Sequence, residues 1–180
     1  SKPVDRVKYT RLTPLREEFD EIMELAFEID VLSRRVAFEV PHDCPPTVAV
    51  RLDHEGRRFV LLTDMGHPVD QVARQLSGAH LLMLEFNHCA EMLEAGPYPA
   101  SLKRRVLGNQ GHLSNDQAAI MLRSMAGPEL HTLVLAHLSE TNNTPERALE
   151  CATSTLETMG LGHVKVMIAP QHEIMEPILV

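Results

Sequence analysis

Residues 116–170 decide the fold, and they read DQAAIMLRSMAGPELHTLVLAHLSETNNTPERALECATSTLETMGLGHVKVMIAP. The opening segment predicts a helix that Ser114 or Asn115 caps and that a Gly-Pro pair ends. The apolar run LHTLVLAH predicts a strand, a second helix starts at Thr144, and HVKVMIAP predicts a last strand. This alternation of helices and strands is typical of a layered α/β domain.

Shorter segments upstream extend the same pattern. Runs of β-branched or aromatic residues at 34–40, 47–52 and 57–63 predict three successive strands. Residues 68–78 open with proline and close with glycine, as a short helix does. The continuous apolar run at 80–86 predicts a buried strand. The segment AGPYPAS then breaks the chain, and SLKRRVL predicts a short basic helix or turn.

Length and composition indicate one domain or part of one over residues 1–180. Residues 14–29 have partial helical periodicity, which predicts a helix running into a strand, so that 1–26 form a helical lead-in. No apolar run approaches the roughly 18 residues that a membrane span needs, and the N-terminus lacks the apolar core of a secretory signal. Three widely spaced cysteines suit reduced thiols. We therefore expect a soluble, cytoplasmic protein with no membrane partner.

Three chemically suitable side chains share one geometry. His42, Asp64 and His137 each follow an apolar strand, and ligands bind at that edge of layered α/β folds. Two imidazoles and a carboxylate form a donor set for zinc or manganese, and an aspartate shared by two ions is what two-metal hydrolysis needs. The plainer alternatives are ordinary loop histidines and a turn or N-cap aspartate.

The order of several motifs resembles a known family. The segments EVPHD, LLTDMGH, LEFNHCAEMLEAGPYPASLKRRVLGNQGHLSNDQAA and LVLAHLSETNNTPERAL look like the C-terminal half of metallo-β-lactamase-fold hydrolases of the YycJ/WalJ type. More loosely, GHLSNDQAA is similar to a histidine loop of tRNA 3′-processing endonucleases on that fold. The resemblance implies part of an αββα sandwich, with a mixed β-sheet flanked by helices. It also implies a metal-dependent phosphodiesterase or exonuclease-like nuclease that acts on DNA, with metal-activated water as the nucleophile.

The resemblance also assigns individual roles. His42, Asp64 and His137 match metal ligands of the family, and Asp64 matches the aspartate that bridges two divalent ions, zinc or manganese. His112 matches a histidine beside the scissile phosphate, where an imidazolium can protonate the leaving oxygen. His112 and Asp64 are therefore the predicted catalytic residues. The tripeptide His-Leu-Ser occurs at both His112 and His137, but the segments that follow differ, so we expect two different roles and no internal repeat.

The H-x-H-x-D-H cluster of the family, which supplies four of its metal ligands, does not occur in this sequence. We therefore expect weak or partial metal occupancy in this chain alone. A complementing N-terminal half would restore the site. The alternative is a truncated, non-catalytic half-domain that pairs with another chain or forms a homo-oligomer to cover its apolar surface.

Substrate contacts are predicted from two motifs. Lys103, Arg104 and Arg105 form the dense basic run, which either pairs with substrate phosphates or is a solvated helix face. Asn87 and His88, together with Glu85, lie at the end of a predicted strand and either contact the site or form a structural turn. The formal charge of −8 argues against unselective binding to polyanions unless a local patch or bound metal reverses it. DNA is favoured over RNA, exonuclease and endonuclease action both stay open, and hydrolysis of a small thioester or lactone is a third possibility.

Overall fold

Six strands form one mixed sheet in the computed structural model, which describes residues 34–179 of the chain. They are β1 (Arg34–Glu39), β2 (Val48–His54), β3 (Arg57–Leu62), β4 (Leu81–Glu85), β5 (Thr132–Ala136) and β6 (Lys165–Ile168). Their order in the sheet follows their order in the chain. The first three pair antiparallel, and β3 to β6 pair parallel. All strands except β2 therefore run in one direction and end at the same edge.

Five helices connect these strands within the described residues. They are α1 (Asp70–Leu76), α2 (Ala90–Ala95), α3 (Ala100–Val106), α4 (Asn115–Met125) and α5 (Pro145–Thr158). Ser114 caps α4 in a reciprocal capping box with Gln117, and Thr144 caps α5 by accepting from the amide of Arg147. The sequence did not predict α2, because six residues are too short a stretch to show a helical period.

The hydrophobic core lies between one face of the sheet and helices α1, α4 and α5. Alternate residues along each strand supply one side of this core, since side chains alternate between the two faces of a sheet. On the sheet the core includes Val60, Leu62, Leu82, Leu84, Leu133 and Leu135; on the helices it includes Leu76, Met121, Leu122, Met125, Ala152 and Leu156. Burial of these side chains fixes the register of the strands and hence the positions at which they end.

The opposite face of the sheet also carries an apolar row. Strand register aligns Val50, Leu61, Met83, Val134 and Met167 across five strands. Val134 is buried and the other four are only half-buried. We call these five residues the open row.

The observed sheet and helices confirm the predicted α/β class with a mixed sheet. The lead-in over residues 1–26 and the helix predicted at 14–29 lie outside the described residues, so the domain boundaries stay a prediction. Within residues 34–179, every helix is too short or too polar to cross a membrane.

Candidate metal centre

One carboxylate oxygen of Asp64 lies among three imidazoles at the carboxyl edge of the sheet. Asp64 Oδ1 is 3.4 Å from His137 Nδ1, 3.8 Å from His112 Nδ1 and 3.8 Å from His42 Nε2. Most of these separations are too long for hydrogen bonds. They fit donor atoms arranged around a cation, because a tetrahedral zinc ion separates its nitrogen and oxygen ligands by about 3.4 Å. The structure thus brings together the residues predicted from the strand ends.

Asp64 and His137 share an unusual backbone conformation. Their φ angles are 58° and 57°, and the only other non-glycine residue with positive φ among those described is Glu55, in the β2–β3 turn. The left-handed region is costly for most side chains, and such residues cluster at functional sites. In both cases the chain turns sharply after a buried strand and leaves the side chain at the sheet edge.

His42 is held in one tautomer by the loop that precedes His112. Its Nδ1 lies 3.0 Å from the carbonyl oxygen of Gly111, so this nitrogen must carry the proton and donate it. The lone pair then remains on Nε2, which is the nitrogen that faces Asp64. A ligand histidine usually has this arrangement, with its other nitrogen bonded to a carbonyl or carboxylate.

Glu85 was not among the predicted catalytic or metal-binding residues, although the sequence left open that it contacts the site. It ends β4, is fully buried, and its Oε1 lies 2.8 Å from His112 Nδ1 and 3.1 Å from His137 Nδ1. Its Oε2 accepts from the amide of Met65 at 3.0 Å, next to Asp64. A charged residue closing the apolar run of a buried strand was the sequence signal that could have found it, because buried carboxylates need partners.

These contacts set the charge state of Glu85. Burial alone would raise the pKa of Glu85, but hydrogen bonds from His112 and His137 bring it below its ordinary value. The same bond to Glu85 raises the pKa of His137 against the opposing effect of burial. Glu85 is therefore a buried anion that accepts hydrogen bonds from both imidazoles.

His112 reaches the site from a tightly packed loop. A side chain at Gly111 would collide with the carbonyl oxygens of Arg105 and Val106 at the end of α3, so only glycine fits there. His112 is half-buried, and its ring centroid is 5.0 Å from that of His42 and 4.9 Å from that of His137. Its predicted role as proton donor stays a prediction, since its Nδ1 is as near to Asp64 as the nitrogen of His42 is.

The basic run is divided between different partners. Arg105 forms a two-pronged ion pair with Asp43, the neighbour of His42, and this ion pair lowers the pKa of Asp43. Lys103 donates from Nζ to the carbonyl oxygen of Glu94 at 2.6 Å, while Arg104 lies exposed. All three stand on α3, close in the chain to the His112 loop. Their contact with substrate is untested and stays a prediction.

Asn87 and His88 lie beneath the site and are both buried. Asn87 Nδ2 donates to the main-chain oxygen of His137 at 2.8 Å. Neither ring nitrogen of His88 has a hydrogen-bond partner within residues 34–179, and burial lowers the pKa of His88 to about 4. Direct contact of these two residues with substrate also stays a prediction.

The side chains present suit a divalent ion. Donor atoms of Asp64, Glu85, His112 and His137 all lie within 4.8 Å of one another, and His42 adds a fifth donor beside Asp64. Imidazole nitrogen and carboxylate oxygen together are the ligands that zinc and manganese accept. The chemistry of this donor set therefore fits a metal centre at the edge of the sheet.

Comparison with known proteins agrees with this geometry. The family model described as "Beta-lactamase superfamily domain" matches residues 7–138, so the chain belongs to the β-lactamase superfamily. The metallo-β-lactamase-fold protein YhfI from Bacillus subtilis has a similar structure, with a TM-score of 0.54 and 16% identity over 78% of this chain and 48% of YhfI. This likeness confirms the predicted fold.

Within that superfamily, the chain is of the YycJ/WalJ type, as its motifs predicted. It is 36% identical over 126 residues to Exodeoxyribonuclease YycJ of Bacillus anthracis, a match covering 70% of this chain and 48% of the relative. It is 35% identical over 135 residues to Exodeoxyribonuclease WalJ of Streptococcus pneumoniae serotype 2, covering 75% of this chain and 49% of the relative. The chain thus spans about half the length of the curated relatives it matches.

Proposed function

We propose that this chain supplies the Asp64 part of a two-metal phosphodiesterase that acts as a nuclease on DNA. The observation that carries the proposal is the position of Asp64 Oδ1, which has imidazole nitrogens at 3.4 to 3.8 Å on three sides. A carboxylate in that position can be shared between two ions, which is the arrangement that in-line displacement at phosphorus uses.

Each ligand has a separate task in this proposal. His42 would hold one ion through Nε2, His137 would hold the second, and Asp64 would be shared between them. Zinc or manganese ions, when bound, supply Lewis-acid stabilisation of the phosphoryl charge and activate the attacking water. The left-handed backbone at Asp64 and His137 supports this assignment, because it directs both side chains to the same point.

His112 is proposed to move the proton that the leaving oxygen needs. Its Nδ1 donates to Glu85 at 2.8 Å, which orients the ring. The other nitrogen, Nε2, can then donate to the oxygen that leaves phosphorus. Glu85 is fully buried, and it orients two imidazoles with one carboxylate oxygen.

DNA is the proposed substrate for two reasons. Relatives that are 35–36% identical to this chain bear the name exodeoxyribonuclease, and α3 places a basic run beside the His112 loop. Arg104 is exposed and suits contact with a phosphate, whereas Arg105 is already paired with Asp43. Because the whole chain carries a formal charge of −8, such contact must be local.

We further propose that the complete site needs ligands from an H-x-H-x-D-H segment outside this sequence. If His112 acts as a proton donor, each ion keeps one histidine and a share of Asp64, with Glu85 engaged in hydrogen bonds. Stable zinc sites use three or four protein donors, so the ions would be held weakly.

A second candidate function is a non-catalytic half-domain that pairs with another chain or with itself. The open row favours it, because four of its five apolar side chains are only half-buried on the face opposite the core helices. In an αββα sandwich this face packs against a second sheet. A partner sheet would bury the open row whether or not the pair binds metal.

A nuclease assay with matched substrates tests the two candidates. The chain is mixed with DNA and RNA duplexes of one sequence in manganese or zinc, alone and after addition of the N-terminal half of YycJ from Bacillus anthracis. We expect cleavage of DNA only in the reconstituted mixture. A stable, metal-binding complex of the two halves that cleaves neither DNA nor RNA would contradict the nuclease function. The non-catalytic half-domain would then be the remaining candidate.

A further inference from the structure

A buried asparagine joins the three loops of the candidate metal centre without touching any ligand side chain. Asn143 Nδ2 donates to the main-chain oxygens of Phe86 at 2.8 Å and Asn87 at 3.2 Å, and to Oδ1 of Asn115 at 2.9 Å. Its own Oδ1 accepts from Asn115 Nδ2 and from the amide of Thr144, both at 3.0 Å. Every polar atom of this side chain is thus used, and the residue is only 4% exposed.

Each of these partners belongs to a segment that carries a residue of the site. Phe86 and Asn87 directly follow Glu85, Asn115 lies three residues after His112, and Asn143 itself lies six residues after His137. The main chain reinforces the links, because the amide of Asn115 donates to the carbonyl of His88 and the amide of Ser139 to that of Asn87, both at 2.8 Å. The amide group of Asn143 therefore stands where the three segments meet.

Asn87 links Asn143 to the predicted metal ligand His137. Its main-chain oxygen is bonded by Asn143, and its side chain donates to the main-chain oxygen of His137 at 2.8 Å. His137 has a left-handed φ of 57°, which is costly unless the surroundings hold it. Asparagine is required at 143 because the carboxylate of aspartate lacks the two N–H donors and would be a buried charge.

We propose that Asn143 is a positioning residue that sets the spacing between Glu85, His112 and His137 and so controls the affinity of the centre for metal. This inference rests on the metal centre of the proposed function but not on its nuclease activity. The buried Thr155 on α5 provides a matched control.

Two measurements on Asn143→Ala and Thr155→Ala test the proposal, with folding checked by circular dichroism. In the metal-free chain, the first measurement is the hydrogen-exchange rate of the Ser139 main-chain amide, which donates to the carbonyl of Asn87. This rate shows how firmly the loop after His137 is held. We expect exchange there to be about tenfold faster in Asn143→Ala and unchanged in Thr155→Ala, which removes a buried hydroxyl that bonds only Cys151 and Arg123. The second measurement titrates cobalt(II) alone and follows its visible absorption. We expect the dissociation constant to rise about tenfold or more in Asn143→Ala only.

A milder variant covers the case in which Asn143→Ala does not fold. Asn87→Ala removes only the side-chain bond to His137 and should reproduce both effects in weaker form. A folded Asn143→Ala or Asn87→Ala with unchanged Ser139 exchange and unchanged cobalt affinity would overturn the proposal. If the unmodified chain binds no cobalt at all, the proposed metal centre is contradicted instead. The exchange rate at Ser139 would then be the measurement that decides whether Asn143 positions the His137 loop.

Discussion

Glu85 Oε1 and His112 Nδ1 are 2.8 Å apart, in a hydrogen bond between a fully buried carboxylate and a half-buried imidazole. The same oxygen also accepts from His137 at 3.1 Å. One anion at the end of β4 therefore orients both the predicted proton donor and a predicted metal ligand. This arrangement links the two His-Leu-Ser tripeptides, which lie on different loops, through a residue outside both.

Glu85→Gln should weaken the centre without unfolding the chain. The amide has the shape of the carboxylate, but it loses the charge that raises the pKa of His137 and holds both imidazoles by hydrogen bonds. Loss of such a supporting carboxylate is expected to reduce metal affinity about 10- to 100-fold. Competition against a chelating dye measures it. The exposed Glu157→Gln on α5 is the control, and equal affinities for the two variants would contradict this role for Glu85.

His112→Ala and His137→Ala should separate turnover from metal content. In the reconstituted protein, we expect His112→Ala to keep its metal and lose about 100-fold or more in DNA cleavage, because general acid catalysis contributes about that much. His137→Ala should lose bound metal as well. Elemental analysis of the purified complexes gives the metal content. Loss of metal from His112→Ala would make His112 a ligand and refute the division of roles.

Arg104 and Arg105 should differ in their effect on DNA binding. Arg104 is exposed, so Arg104→Gln removes a phosphate contact and should reduce the slope of log affinity against log salt by about one. Arg105 is held by Asp43, so Arg105→Gln should act mainly on the His42 loop and weaken metal binding. Fluorescence anisotropy at several salt concentrations measures the slope. Equal slopes for Arg104→Gln and the unmodified protein would argue against the contact.

His88 should make the free energy of unfolding depend on pH. Its pKa is lowered by burial from 6.5 to about 4, so between these values the unfolded chain binds a proton that the folded chain does not. The contribution of His88 to the free energy of unfolding is therefore fully present above about pH 6.5. It is lost as the pH drops toward 4, by about 1.4 kcal/mol per pH unit. Urea unfolding from pH 4 to 7 measures the free energy of unfolding at each pH. The pH-dependent part that His88 contributes should be absent in His88→Gln and should remain in His163→Gln, which changes an exposed histidine. An identical pH dependence in His88→Gln would exclude the effect.

The convergence of His42, Asp64 and His137 was predictable because their strands all end at one edge. That inference needed β1 to run in the same direction as β3, which holds because β2 is antiparallel to both. Periodicity and turn residues also placed α4 and α5, since Ser114 and Thr144 are effective caps.

Other features depend on contacts distant in sequence and could not be predicted. Glu85 closes an apolar run, and nothing in that run shows that its partners are His112 and His137, which lie 27 and 52 positions away. The bond from Asn143 to Asn115 likewise joins two turns whose sequences each explain only a local cap. Tertiary contacts of this kind follow from the packing of whole elements, which local patterns do not encode.

Isothermal titration of zinc into the chain and into Asp64→Asn measures whether Asp64 organises a metal centre from this chain's own residues. We expect a dissociation constant above about 1 µM for the chain, because with His112 as proton donor and Glu85 engaged in hydrogen bonds each ion keeps only one histidine and a share of Asp64. Binding should be lost in Asp64→Asn. Zinc affinity that is the same in both proteins, or stoichiometric submicromolar binding by this chain alone, would contradict the account.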